Sequence, residues 1–179
     1  TYAERFGKEG AFITKATAQL MRDLGCVQSP MSAYMLNLGL ESLHVRMARH
    51  CENAQAVAEF LAAHPKIAYV NYCGLPGDKY HALAEKYLPN GSCGVVSFGV
   101  KGGRAAAASF MGHLKVAAIE THVADARTCC LHPASSTHRQ MNDEQLLAAG
   151  VMPDLVRMSC GLEDKQDLIN DIAQALDQI

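Results

Sequence analysis

The stretch between Ser29-Pro30 and Pro65 constrains this chain more than any other feature. Serine followed by proline is a helix start: the hydroxyl can accept a first-turn amide, and proline's fixed φ and missing N–H suit the first helical position. Pro65 bars continuation at the far end, because its ring clashes with the preceding turn. Between them Met31, Met35 and Leu38, then Val57, Phe60 and Leu61, recur at three- and four-residue spacing, which is the helical period. A helix over 29–64 would be about three times the mean globular length. Gly39 is the natural place for a kink or break. A helix of that length is expected to act as a linker between domains.

Beyond Pro65 the texture changes. The pattern predicts strands over 67–72, 94–100, 116–121 and 155–159, and helices over 80–87 and 105–114. A terminal amphipathic helix over 164–179 is built on Leu168, Ile169, Ile172 and Leu176. Ahead of the linker, a helix over 14–24 should end at Gly25, and the first residues suggest no cap. Strands alternating with helices predict an α/β (α+β layer) fold, a small sheet with helices on one face.

With 179 residues, the chain is one domain or a domain plus a fragment. At that size roughly 70% of the unfolded surface can be buried, and 49% apolar residues supply a core. Sixteen basic and 18 acidic residues, spread without runs, argue against nucleic-acid binding. No apolar run approaches the ~18 residues of a membrane span, and no signal peptide opens the chain. Seven scattered cysteines fit reduced thiols better than a disulfide framework, so a cytoplasmic protein is expected.

Several groups carry possible chemistry. Gly102-Gly103, flanked by Lys101 and Arg104, suggests a phosphate site, but its spacing fits an ordinary strand-to-helix turn better. Cys129-Cys130 with His132 suggests a thiol and its base, yet adjacent residues of an extended segment point to opposite faces. Buried, inert cysteines are the better reading. His122, His132 and His138 match no common zinc spacing, so no metal is expected. Arg157 is different. Alternation in a strand sets it among apolar neighbours, where an unpaired charge is costly. Its partner is either an internal acid, such as Asp125 or Glu163, or a ligand carboxylate gripped bidentately. Residue chemistry alone leaves these two open.

HPASSTH (132–138), EQLLAAGV (144–151) and PDLVRMSCGLED (153–164), in that order, resemble the carboxy-terminal third of the Cys/Met-metabolism enzymes dependent on pyridoxal phosphate (PLP). SPMSAYMLNLGLESLHVRM (29–47), RHCENAQAVAEFL (49–61) and VNYCGLP (70–76) extend the resemblance over nearly the whole chain. Within the family it is strongest to the O-acetylhomoserine sulfhydrylases. Cystathionine synthases and lyases and methionine γ-lyases share the motifs.

The resemblance implies the C-terminal domain of a fold-type I PLP enzyme: 1–28 the tail of a large PLP-binding domain, 29–64 the linker helix, 65–179 the small domain. It implies transfer chemistry on O-acetylhomoserine, with sulfide giving homocysteine or methanethiol giving methionine. Arg157 then matches the residue that binds the substrate α-carboxylate, and Thr137 a hydroxyl lining that pocket. His122 matches a position that relatives fill with serine or asparagine, which leaves its role open. The cofactor lysine and phosphate-binding groups belong to the missing N-terminal domain and partly to a neighbouring subunit. None of the eight lysines here matches the cofactor-lysine motif. No catalytic or cofactor-binding residue is therefore expected in this chain, which should be inactive alone, and a homo-oligomer, a tetramer in the family, is expected. A stand-alone amino-acid-binding regulatory domain is the alternative from outside enzymology.

Overall fold

A computed structural model describes residues 1–179, which divide into two compact units, Thr1–Leu43 and His44–Ile179. In the first unit, helix α1 (Tyr2–Lys15) runs through a π-helical stretch, Ala16–Met21, into the short α2 (Arg22–Leu24). The helical run thus begins well before residue 14. Thr1 caps it, its hydroxyl accepting from Glu4 N at 3.4 Å while the Glu4 side chain reaches back. The Thr-x-x-Glu spacing is the local signal for that start. Gly7 kinks α1 at φ 72°, and Gly25 ends the run in the left-handed conformation at φ 69°. Helix α3 (Pro30–Glu41) starts as expected, Ser29 Oγ accepting from Ser32 N at 3.1 Å. None of its residues is buried, and Met31, Tyr34, Met35 and Leu38 lie exposed.

The 29–64 stretch is two helices rather than one. The break falls at Ser42 (φ −104°), not Gly39, and α4 (Leu43–Ala63) resumes at once. A glycine costs a helix only about 1 kcal/mol, whereas a serine hydroxyl competes for backbone groups and favours helix ends.

The second unit is a sheet with helices on one face. Its strands are β1 (Ile67–Asn71), β2 (Val95–Val100), β3 (Ala118–Ile119), β4 (Cys129–Leu131) and β5 (Leu155–Ser159). They lie in the order β1-β2-β5-β4-β3, antiparallel except for the β4/β3 pair. Helices α5 (His81–Tyr87), α6 (Gly103–His113), α7 (Asp143–Ala148) and α8 (Lys165–Asp177) complete it. Val96, Phe98 and Val100 of β2, Val156 and Met158 of β5 and Cys130 of β4 share a core with Val57 and Leu61 of α4, Phe110 of α6, and Leu168, Ile172 and Leu176 of α8. Burying each large apolar side chain stabilises by roughly 1.5–3 kcal/mol. The two-residue period then sends Ser97 and Arg157 to the opposite face of the sheet.

Strand β3 is shorter than the predicted 116–121, for a local reason. The amides of Lys115, Val116 and Ala117 donate to the buried Asp171 carboxylate at 2.8, 2.9 and 3.0 Å, so that segment cannot join a ladder.

Candidate functional site

Arg157 stands in the middle of β5, paired across the sheet with Ser97 of β2 and Leu131 of β4. Ser97 in turn pairs with Asn71 of β1, so a polar row crosses the face away from the helices. The guanidinium Nη2 donates to the Thr121 carbonyl at 2.8 Å, and its buried Nε has no hydrogen-bond partner. The acids proposed on sequence grounds are engaged elsewhere. Glu163 accepts from Thr128 N at 2.7 Å and from Thr128 Oγ1 at 2.8 Å. Asp125 accepts from Arg127 N at 3.0 Å, and its second oxygen lies 3.4 Å from His122 Nδ1. A guanidinium fixed by one carbonyl, with a buried N–H left over, retains capacity for a bidentate anion.

The 120–128 segment runs from the end of β3 to β4 and carries Thr121, the contact that sequence reading could not find: any residue supplies a carbonyl. Ala124 adopts φ 60° there, a conformation unusual for a side-chain-bearing residue, and its amide donates to Ser159 Oγ at 3.0 Å. His122 is exposed, with Nδ1 2.9 Å from Glu120 Oε2. The Arg127 amide, foremost, with help from the Arg127 and His122 side chains, holds the Asp125 carboxyl below its ordinary range.

The HPASSTH loop is braced rather than reactive. His132 is buried, with Nδ1 2.9 Å from Ser135 Oγ and Nε2 2.9 Å from the Pro153 carbonyl. Arg104 of α6 donates to the Ala134 carbonyl at 2.8 Å and pairs with Asp143 of α7. Lys101 donates to the Pro65 carbonyl at 2.7 Å, so both cations flanking Gly102-Gly103 serve the fold. Thr137 is exposed, its hydroxyl 2.9 Å from His138 Nδ1. The fold thus draws Arg157 against the segment carrying His122, while the Thr137 hydroxyl is engaged by its own neighbour.

Cys129 and Cys130 do point to opposite faces. Burial raises both thiol pKa values, with Glu120 and Asp125 adding to the effect at Cys129. Neither meets His132, whose ring is taken up by Ser135 and Pro153. A thiol nucleophile with an activating base is not assembled here.

A mixed α/β domain whose five-stranded sheet carries helices on one face and an uncompensated arginine on the other is the class that fold and residues define. The chain belongs to the Cys/Met metabolism PLP-dependent enzyme family, whose sequence pattern it matches over residues 7–177. It is 45% identical over 170 residues to an O-acetyl-L-homoserine sulfhydrylase of Leptospira meyeri, covering 94% of this chain and 38% of that protein. It is 42% identical over 176 residues to a homocysteine synthase of Schizosaccharomyces pombe, covering 98% of this chain and 41% of that protein. A Campylobacter jejuni structure solved as an O-acetylhomoserine (thiol)-lyase with N′-pyridoxyl-lysine-5′-monophosphate superposes with a TM-score of 0.84 at 37% identity, over 93% of this chain and 39% of that one. The chain spans about two fifths of the length of the curated relatives it matches.

Proposed function

We propose that this chain is the substrate-carboxylate half of a PLP-dependent transferase that converts O-acetylhomoserine and sulfide, or methanethiol, into homocysteine or methionine. The observation that carries the proposal is Arg157, held by the Thr121 carbonyl alone, with its Nε buried and unpartnered. A guanidinium so placed can bind the α-carboxylate of an amino acid in a fixed orientation, leaving the substrate's reacting carbons to face the cofactor. PLP, when bound, supplies the electron sink that stabilises negative charge on those carbons.

His122 and Thr137 are proposed to border the same carboxylate, His122 as a hydrogen-bond donor where relatives carry serine or asparagine. The residues present fit a substrate clamp rather than the cofactor itself. Lys66 donates to the Leu176 and Ile179 carbonyls, Lys101 to Pro65 and Lys165 to Glu52, all structural contacts. None of the eight lysines matches the cofactor-lysine motif, and on that ground the cofactor lysine and phosphate-binding groups are proposed to lie outside this chain, with residues 1–28 as the tail of that larger domain, 29–64 as the link and 65–179 as the small domain. On this reading the chain alone does not turn over. The exposed apolar side chains of α3 fit burial in a homo-oligomer, a tetramer by family resemblance. No helix is long and apolar enough to cross a membrane, and seven free thiols fit a cytoplasmic setting.

In the longer protein, Arg157→Ala should lower kcat/KM by roughly 10- to 150-fold, corresponding to ~1.5–3 kcal/mol for a charge-assisted hydrogen bond. Unchanged kcat/KM would assign Arg157 to structure. Tight calorimetric binding of O-acetylhomoserine by the chain alone would favour a stand-alone amino-acid-binding domain instead.

A further inference from the structure

The 120–129 segment assembles a second set of groups, of which only His122 is shared with the proposed carboxylate clamp. Glu120 lies just past β3, His122 and Asp125 lie in the loop that follows, and Cys129 opens β4. Parallel pairing of Ala118 with Cys129 brings the strand ends side by side, and Ala124 in the intervening loop adopts a left-handed φ of 60°. One ligand-type atom from each of the four residues then lies within 4.8 Å of the other three. His122 Nδ1 is 2.9 Å from Glu120 Oε2 and 3.4 Å from Asp125 Oδ2, and Cys129 Sγ is 4.0 Å from Glu120 Oε2.

From these residues we propose a divalent transition-metal site of the zinc class, with Glu120, His122, Asp125 and Cys129 as its four ligands. Zinc–ligand bonds of about 2.0–2.3 Å place the corners of a tetrahedron about 3.3–3.8 Å apart. The separations straddle that range, and closing the widest, up to 4.8 Å, requires about 1 Å of movement. Exposed side chains such as His122 can supply it by small rotations. One thiolate, one imidazole and two carboxylates form a borderline donor set that suits zinc or cobalt better than calcium or magnesium.

Charge favours occupancy as well. Arg127 Nη2 donates to Glu120 Oε1 at 3.0 Å, and the Arg127 amide donates to Asp125 Oδ1 at 3.0 Å. Each carboxylate is thus oriented through one oxygen, leaving the other to face His122. The formal charges of both carboxylates, a Cys129 thiolate, Arg127 and a dication sum to zero. Binding breaks the Cys129 S–H bond and releases its proton to solvent as the sulfur–metal bond forms, with no change of oxidation state. Thr121, whose carbonyl holds Arg157, lies between two of the ligands, so an occupied site would also steady that contact.

Cobalt(II) titration of the chain tests the assignment. A thiolate-to-cobalt charge-transfer band should saturate at one equivalent and disappear when zinc(II) is added. Cys129→Ser should abolish the band. Glu120→Gln and His122→Asn, both at solvent-accessible side chains, should weaken cobalt affinity at least tenfold while circular dichroism stays unchanged. Absence of a saturable band would overturn the site. So would a band that survives Cys129→Ser, which would move binding to other cysteines, or full affinity in both His122→Asn and Glu120→Gln.

Discussion

Asp171 and Arg157 are both charged side chains set into the body of the domain, and their surroundings separate structure from function. Asp171 sits on α8, buried, and accepts three successive amides of the turn after α6. Its charge is fully answered by the chain itself. Replacing it with alanine leaves three amides without that acceptor, and we expect Asp171→Ala to cost about 2–5 kcal/mol in urea unfolding. A loss below ~1 kcal/mol would mean that water replaces the carboxylate. Arg157 has no such closure, which is why it and not Asp171 is proposed to hold a ligand. Alternation in LVRMS locates Arg157 from sequence, and the motif resemblance favours a ligand carboxylate over an internal acid as its partner. The metal-ligand quartet was not legible, because its members come together only when β3 and β4 pair.

Among the elements, the expected bounds of β5 match in full, and those of α8 within two residues at either end, because both have clean periods and strong flanking signals. Strand β4 lies outside the strands expected from the pattern. Three apolar residues between Thr128 and His132-Pro133 are too few for a period, and their strand character comes from lying between β5 and β3. Helix α7 lies outside the expected helices although Asn142 and Gln145 form a capping box, with Gln145 N donating at 2.9 Å. The turn after β5 depends on a glycine for space rather than for φ. A Cβ at Gly161 would lie 2.5 Å from the Ala126 carbonyl oxygen and 2.5 Å from the Arg127 carbonyl carbon. Backbone atoms cannot swing aside, so Gly161→Ala should destabilise by roughly 1–3 kcal/mol. It should also disturb the Thr128–Glu163 contacts, visible as raised hydrogen exchange at the Thr128 amide. A fully stable variant with unchanged exchange would show that the 126–128 segment can retreat.

At the scale of the molecule, burial of thiols in one core predicts a pH limit. Burial chiefly, with Glu163 and Cys93 adding, pushes Cys160 from its ordinary 9.0 up to about 12. Above pH 9 the unfolded chain loses that proton while the folded chain keeps it, so the folded state binds more protons and stability falls as pH rises. This contribution is whole below pH 9 and disappears by about pH 12. The melting temperature should therefore drop through that window, and the drop should be shallower in Cys160→Ala. Equal slopes in the two proteins would remove Cys160 as the cause.

Residue order alone carried the helical stretch from Pro30, the α/β class, the strand that bears Arg157 and the kinship to PLP enzymes, because periodicity, prolines and contiguous motifs are local properties of the chain. The order of the strands, the break at Ser42, the shortening of β3 and the release of Arg157 from any internal acid were settled by folding. Each depends on which distant groups compete for the same amide, carboxylate or face of the sheet, and that competition exists only once the elements have packed.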